Sequence, residues 1–252
     1  RNGIVAFDSS HAYGKSESTI GYVLRRFAAE GISRKEVFIT SKIDNHQQYV
    51  GNMNKCVDDS LKTMKTDYLD CMLFHWPVQN HFEENWLQLE DAYKKGKVRS
   101  IGIANAKIFH IERLRMYGAT IVPHVIQTEI HPFNSCLQLR DYSEKHKIAL
   151  QACSSLANMI DKMKYNKTLI DLSRKYSVSL VLLVLRWHLQ SNIAPLFRSF
   201  NPKHIEEIKR VFTFNISNED MRLIDALNEN YRYHPELSLI HISEPTRHLR
   251  IS

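Results

Sequence analysis

Four ionisable residues stand where apolar, strand-like runs stop. Asp8 closes GIVAFD, Tyr13 follows it in HAYGKSE, Lys42 closes EVFITSK and His75 closes YLDCMLFH. A carboxylate, a phenol, an amine and an imidazole at successive strand ends are poor packing material. Their combined chemistry is proton delivery. A free phenol has a pKa near ~10 and is a slow acid at neutral pH. A neighbouring ammonium favours the phenolate, so Lys42 is expected to lower the Tyr13 pKa. A carboxylate at Asp8 would keep the lysine charged and in place. An imidazole at His75 can donate a second hydrogen bond to a substrate oxygen. This set suits general acid catalysis on a carbonyl, with hydride supplied by a bound nicotinamide.

Taken singly, each residue has an ordinary explanation. Asp8 could cap a turn, Tyr13 could pack, Lys42 could be a surface charge and His75 a satisfied core histidine; Asn105 could cap a loop, and Gln127 and Glu129 could form a buried structural network. Their joint placement at successive strand ends is what packing alone does not explain. Other chemistries fit less well. His11, His75 and His81 lack paired-histidine or HExxH spacing, so no metal site is expected. No GxSxG elbow supports a serine hydrolase. Cys153 lacks an identifiable partner base for nucleophilic work.

The elements that must position these residues are legible as runs. Apolar, β-branched stretches recur at Ile4–Ser9, Val37–Lys42, Tyr68–Trp76, Val98–Asn105, Val125–His131, Ala149–Ser155 and Ile193–Ser199. Most are nearly continuous rather than alternating, which suits strands of a parallel sheet buried on both faces. Between them lie helical stripes: Ile20, Val23, Leu24 and Phe27 within Ser16–Ala29; Val57, Leu61 and Met64; Trp86, Leu89 and Tyr93; and Leu180, Leu183, Val184 and Trp187. Glycine-containing turns such as KKGKV and AAEGIS end several of them.

Strand followed by helix, repeated, means βαβ units. A doubly wound sheet would want GxGxxG after its first strand, and none is present. Polar residues follow strand after strand: Asn105 ends the fourth, Gln127 and Glu129 lie in the fifth, and Arg198 and Ser199 end the seventh. That pattern favours an α/β fold of the (β/α)8 barrel type, whose active site gathers strand ends at one mouth. Seven strands are found, so one is expected to be missing. Two unpaired edges would then burden the barrel.

Composition fits an ordinary globular chain: 43% hydrophobic and 24% charged over 252 residues. No apolar run nears the ~18 residues of a membrane span. The net charge is +7, but the basic residues are scattered, so neither nucleic acid nor membrane is an expected partner. Four isolated cysteines (Cys56, Cys71, Cys136 and Cys153) suggest free thiols and a cytoplasmic location.

The ordered set FDSSHAYGKSE, ITSK, DYLDCMLFHWP, GKVRSIGIAN, QTEIHP, LVLRWHLQ and RSFNPKHIEEIKRVF resembles the aldo-keto reductase superfamily. It is most similar to the bacterial 2,5-diketo-D-gluconate-reductase-like branch. The resemblance runs from about residue 3 to about 233. It implies a (β/α)8 barrel, NADPH as cofactor, a small-molecule carbonyl substrate and a monomer. It also implies roles: Tyr13 as proton donor, Lys42 and Asp8 as its activating pair, and His75 orienting the carbonyl. Asn105 and Gln127 would hold the nicotinamide carboxamide. Arg198, Ser199, Asn201 and His204 would grip the 2′-phosphate, Glu207 would meet the adenine, and His11 and Trp76 would wall the substrate pocket.

Departures from the family pattern fall in the cofactor cleft. Ala104 replaces a serine, Cys153 an aromatic that stacks on the nicotinamide, Phe197 and Arg198 a Pro-Lys pair, His204 an arginine and Ile208 an asparagine. Weaker cofactor binding is expected. The opening RNGIVAFD resembles the lead into the family's second strand, so the barrel domain, residues 1–236, is expected to lack its first strand and helix. Residues 237–252 resemble nothing in the family and are expected to be a non-family tail. Two alternatives therefore stand beside the enzyme: a catalytically impaired, nucleotide-binding barrel, or an unstable fragment.

Overall fold

In the computed structural model, residues 4–234 are described. Seven strands run in chain order: β1 (Ala6–Asp8), β2 (Phe38–Ile43), β3 (Cys71–Phe74), β4 (Ile101–Ala104), β5 (Val125–Glu129), β6 (Ala149–Cys153) and β7 (Ile193–Pro195). Each pairs in parallel with the next, so the sheet order is β1 to β7. The helices between them are α1 (Ser16–Ala29), α2 (Asn45–Val50), α3 (Met53–Met64), α4 (Phe82–Lys94), α5 (Ile108–Tyr117), α6 (Leu137–His146), α7 (Asp161–Lys164), α8 (Lys167–Lys175), α9 (Leu180–Gln190), α10 (Pro202–Ile208) and α11 (Asn218–Asp225).

Local chemistry sets the element ends. Asp44, Asn52, Ser179 and Ser217 accept hydrogen bonds from the first free amides of α2, α3, α9 and α11. Gly51 and Gly118 end α2 and α5 in the left-handed conformation that glycine adopts without strain.

Strand parity separates two packed faces. Met72, Phe74, Ile101, Ile103, Ile126, Leu150 and Ala152 face the helices in the main core. Cys71, Leu73, Ala104 and Val125 form a small inner cluster. All four residues of β3 are buried, as a strand covered on both sides requires. The interior is tight at Gly102, where a Cβ would lie 2.1 Å from the Val125 carbonyl oxygen and 2.8 Å from Leu73 Cδ2.

The sheet is curled into a barrel. Gln127 on β5 donates to Asp8 on β1 across 2.8 Å. In a flat sheet those strands would stand roughly 19 Å apart, four spacings of about 4.8 Å. Among the described residues no eighth strand lies between β1 and β7, and these two are the sheet's edges. At the opposite end of the strands, Arg34 donates to the Val37 and Tyr68 carbonyls and to Asp70, and so ties the starts of β2 and β3 together.

Several strands are shorter than the apolar runs that signalled them. Tyr68–Trp76 contains a four-residue strand, and Ile193–Ser199 contains β7, which stops at Pro195. Trp76, Pro77 and Val78 are buried without ladder pairing in β3, so the run there tracks burial rather than strand. Residues 237–252 lie outside the described residues.

Candidate active site

Asp8 is the last residue of β1, Lys42 the penultimate residue of β2, and His75 and Asn105 follow β3 and β4 directly. Backbone bonds carry the ladder one step past the strands. Ser9 N–H donates to Thr40, His11 N–H to Lys42, His75 N–H to Ile43 and Asn105 N–H to Gln127. The side chains therefore stand on rigid strand ends rather than on free loops. Asn105 sits at φ 60°, a left-handed conformation that asparagine tolerates.

Lys42 is buried, with a fully covered side chain. Its ammonium donates to Asp8 Oδ2 at 2.5 Å and to the Ser9 carbonyl at 2.8 Å. It also lies 4.9 Å from the centroid of the Tyr13 ring. Tyr13 Oη is 3.4 Å from His75 Nε2, and the two rings meet edge to face at 5.5 Å. The four candidate catalytic residues thus form one contiguous group.

The protonation pattern corrects one expectation. Tyr13 is 47% exposed, yet its phenol is pushed up to about 12, not down, by the partial cover around it first and then by the Asp8 carboxylate. The Lys42 charge is engaged by Asp8 and the Ser9 carbonyl, and its nitrogen approaches the ring face. The Tyr13 phenol therefore holds its proton at neutral pH. His75 is lowered to about 4, by burial first and by the Lys42 charge second, so its imidazole is neutral. Burial, and then the Glu129 charge, push the Cys153 thiol up to about 12, which leaves it a poor nucleophile.

Gln127 is partly engaged within the chain. Its amide nitrogen donates to Asp8 Oδ1 at 2.8 Å and to Gln151 Oε1 at 3.0 Å. Both of its N–H groups are so engaged, which leaves Gln127 only a carbonyl to offer a ligand. Asn105 donates to the His75 carbonyl at 3.0 Å, while its Oδ1 is buried without a partner among the described residues. A buried acceptor of this kind fits an incoming amide N–H.

Glu129 belongs to a separate network. Its carboxylate faces His131 Nε2 at 3.1 Å and accepts the Tyr233 and His234 amides at 2.5 and 3.1 Å. Burial opposes its ionisation, but these hydrogen bonds outweigh that and hold the carboxyl below its usual range.

The remaining predicted residues make contacts of their own. His11 is exposed, with Nδ1 3.9 Å from Glu17 Oε2. Trp76 is nearly covered, and its carbonyl accepts from Gln48 at 2.9 Å. Arg198, Ser199, Asn201, His204 and Glu207 share the segment from the end of β7 through α10. Arg198 and His204 are exposed there. Asn201 Oδ1 accepts from Lys203 N–H as the helix cap, and Ser199 Oγ accepts from Asn201 N–H. Two contributors had no place in the sequence reading: Ser10, which reaches the His75 ring, and Gln151, which steadies Gln127. The serine pair between Asp8 and Tyr13 was the only signal for the first.

Residues 1–229 match the model of the aldo/keto reductase family. Glyoxal reductase of Bacillus subtilis (strain 168) is 36% identical over 235 residues, covering 93% of this chain and 83% of that protein. Methylglyoxal reductase DkgA of Escherichia coli (strain K12) is 32% identical over 238 residues, with the same coverages. The crystal structure of a Bombyx mori aldo-keto reductase in complex with NADP superposes with a TM-score of 0.81 at 26% identity, covering 91% of this chain and 80% of that one. The chain belongs to the aldo/keto reductase family and is a nicotinamide-dependent oxidoreductase.

Proposed function

We propose that this protein reduces a small, reactive aldehyde or ketone to an alcohol, with NADPH as reductant and Tyr13 as proton donor. The observation that carries the reading is the contact of Tyr13 Oη with a neutral His75, beside a buried Lys42–Asp8 pair. The names of the glyoxal and methylglyoxal reductases support a small 1,2-dicarbonyl substrate.

The residues present fit a nicotinamide. The unpartnered Asn105 Oδ1 suits a carboxamide N–H, and the Gln127 carbonyl offers a second acceptor. Arg198 is exposed at the head of α10, where it can clamp a phosphate. When bound, the cofactor supplies hydride. The chain's own residues do the rest. Lys42 and Asp8 neutralise one another and fix the floor beneath the phenol. His75 aims its ring at the oxygen that Tyr13 protonates. Trp76, nearly covered, and His11, exposed, are assigned to the substrate pocket.

The complete catalytic group favours an enzyme over a nucleotide-binding barrel without turnover. The free thiols of Cys56, Cys71, Cys136 and Cys153 suit a reducing, cytoplasmic compartment, and the protein is taken to act as a monomer. Among the described residues no helix is long and apolar enough to cross a membrane. The test is oxidation of NADPH in the presence of glyoxal or methylglyoxal. Cofactor binding without turnover would reject the enzymatic reading.

A further inference from the structure

Ser10 is fully buried between the strand end at Asp8 and the loop that carries Tyr13. Its hydroxyl has three neighbours. The Ala12 amide donates to Oγ at 3.2 Å, His75 Nδ1 lies 3.3 Å away, and the Lys42 carbonyl lies 3.5 Å away. A hydroxyl has one proton and two lone pairs. Ala12 occupies one lone pair, so the Ser10 proton goes either to His75 Nδ1 or to the Lys42 carbonyl.

The two choices set opposite forms of the imidazole. The ring is neutral, so one nitrogen carries a proton and the other a lone pair. If Ser10 donates to the Lys42 carbonyl, its second lone pair receives Nδ1–H. Nε2 is then a bare acceptor 3.4 Å from Tyr13 Oη, and it captures the phenolic proton. If Ser10 donates to Nδ1, the ring proton sits on Nε2 and points toward Tyr13 Oη. The phenolic proton is then left for an incoming oxygen.

Geometry decides between them. A contact of 3.5 Å is at the outer limit of hydrogen bonding. The Lys42 carbonyl already accepts the His11 amide at 3.1 Å. Nδ1 is the nearer acceptor, and no other described hydrogen bond reaches it. The Asn105 amide meets the His75 carbonyl, not its ring.

We propose that Ser10 is a positioning residue that holds His75 as its Nε2–H tautomer and so keeps the Tyr13 proton available to the substrate. The inference rests on Tyr13 as proton donor. Ser10 acts on Nδ1, on the far side of the imidazole from Tyr13.

The test is nuclear magnetic resonance of the full chain with isotopically labelled histidine, the His75 signals being assigned by their loss in His75→Gln. Wild-type His75 should be protonated on Nε2. Ser10→Ala should raise the Nδ1–H population and lower kcat about fivefold, the factor that one ordinary hydrogen bond is worth, with KM little changed. Ser10→Thr, which keeps the hydroxyl, should restore both. Protonation on Nδ1 in the wild type would overturn the proposal, as would an unaltered tautomer in Ser10→Ala. If Ser10→Ala does not fold, the wild-type assignment alone decides. An undiminished rate in Tyr13→Phe would instead overturn the donor assignment and leave the tautomer result standing.

Discussion

Replacing Asp8 with asparagine removes one charge from a pair whose other member has no exposed side-chain surface. Lys42 Nζ would keep the Ser9 carbonyl at 2.8 Å but lose the carboxylate at 2.5 Å. Asparagine is nearly isosteric and can still accept from Gln127, so no cavity forms and the change is electrostatic. Breaking a buried pair by removing one partner costs ~3–5 kcal/mol. Asp8 keeps 19% side-chain exposure, which places the cost at the lower end, about 3 kcal/mol. At roughly 2–4 °C per kcal/mol for a chain of this size, the melting temperature should fall by about 6–12 °C. Urea unfolding followed by tryptophan fluorescence reads it, since Trp86 and Trp187 are buried reporters. Adding Lys42→Met should recover most of the loss, because no uncompensated charge then remains inside. A loss under ~1 kcal/mol for Asp8→Asn, with no coupling to Lys42→Met, would refute the buried-pair argument.

The remaining predictions concern pH and packing. His75 titrates at about 4 in the folded chain, against an ordinary 6.5. Between those values the unfolded chain binds the extra proton, so stability falls as pH drops from 6.5 to 4, by ~2–3 kcal/mol for this group. His188, also at about 4 through burial, acts in the same direction. Urea midpoints at neutral and acidic pH should therefore converge partway in His75→Gln, and an unchanged difference would contradict the His75 assignment. Gly102→Ala drives a Cβ into the Val125 carbonyl and should destabilise the fold by ~1–3 kcal/mol or more, read by thermal unfolding. A neutral Gly102→Ala would mean the barrel interior is looser than its contacts indicate.

Much of this architecture was legible in the sequence because burial on both faces leaves a continuous apolar run. Cys71–Phe74 is such a run, and the residue where it stops, His75, is where the site begins. The spacing of Ile20, Val23, Leu24 and Phe27 signalled the helix α1. What was not legible depends on distant groups. The engagement of Gln127 by Asp8 needs the curl of the sheet, which brings residues 119 positions apart into contact. The upward shift of Tyr13 comes from burial first and the Asp8 carboxylate second, and the presence of a lysine nearby reveals neither. Ser10 reads as a turn residue until the His75 ring is placed beside it. Glu129 fitted either the strand-end set or a buried structural network, and its partners, the amides of Tyr233 and His234, lie far along the chain.

The central claim is that Tyr13 delivers the proton. Tyr13→Phe keeps the aromatic ring beside Lys42 and His75 and removes only the hydroxyl. The direct measurement compares NADPH oxidation by wild type and Tyr13→Phe with methylglyoxal, at matched folded concentration and cofactor saturation. A fall in kcat of ~10²–10⁴-fold, the ordinary worth of a general acid, is the predicted result. Equal rates in the two proteins would contradict it.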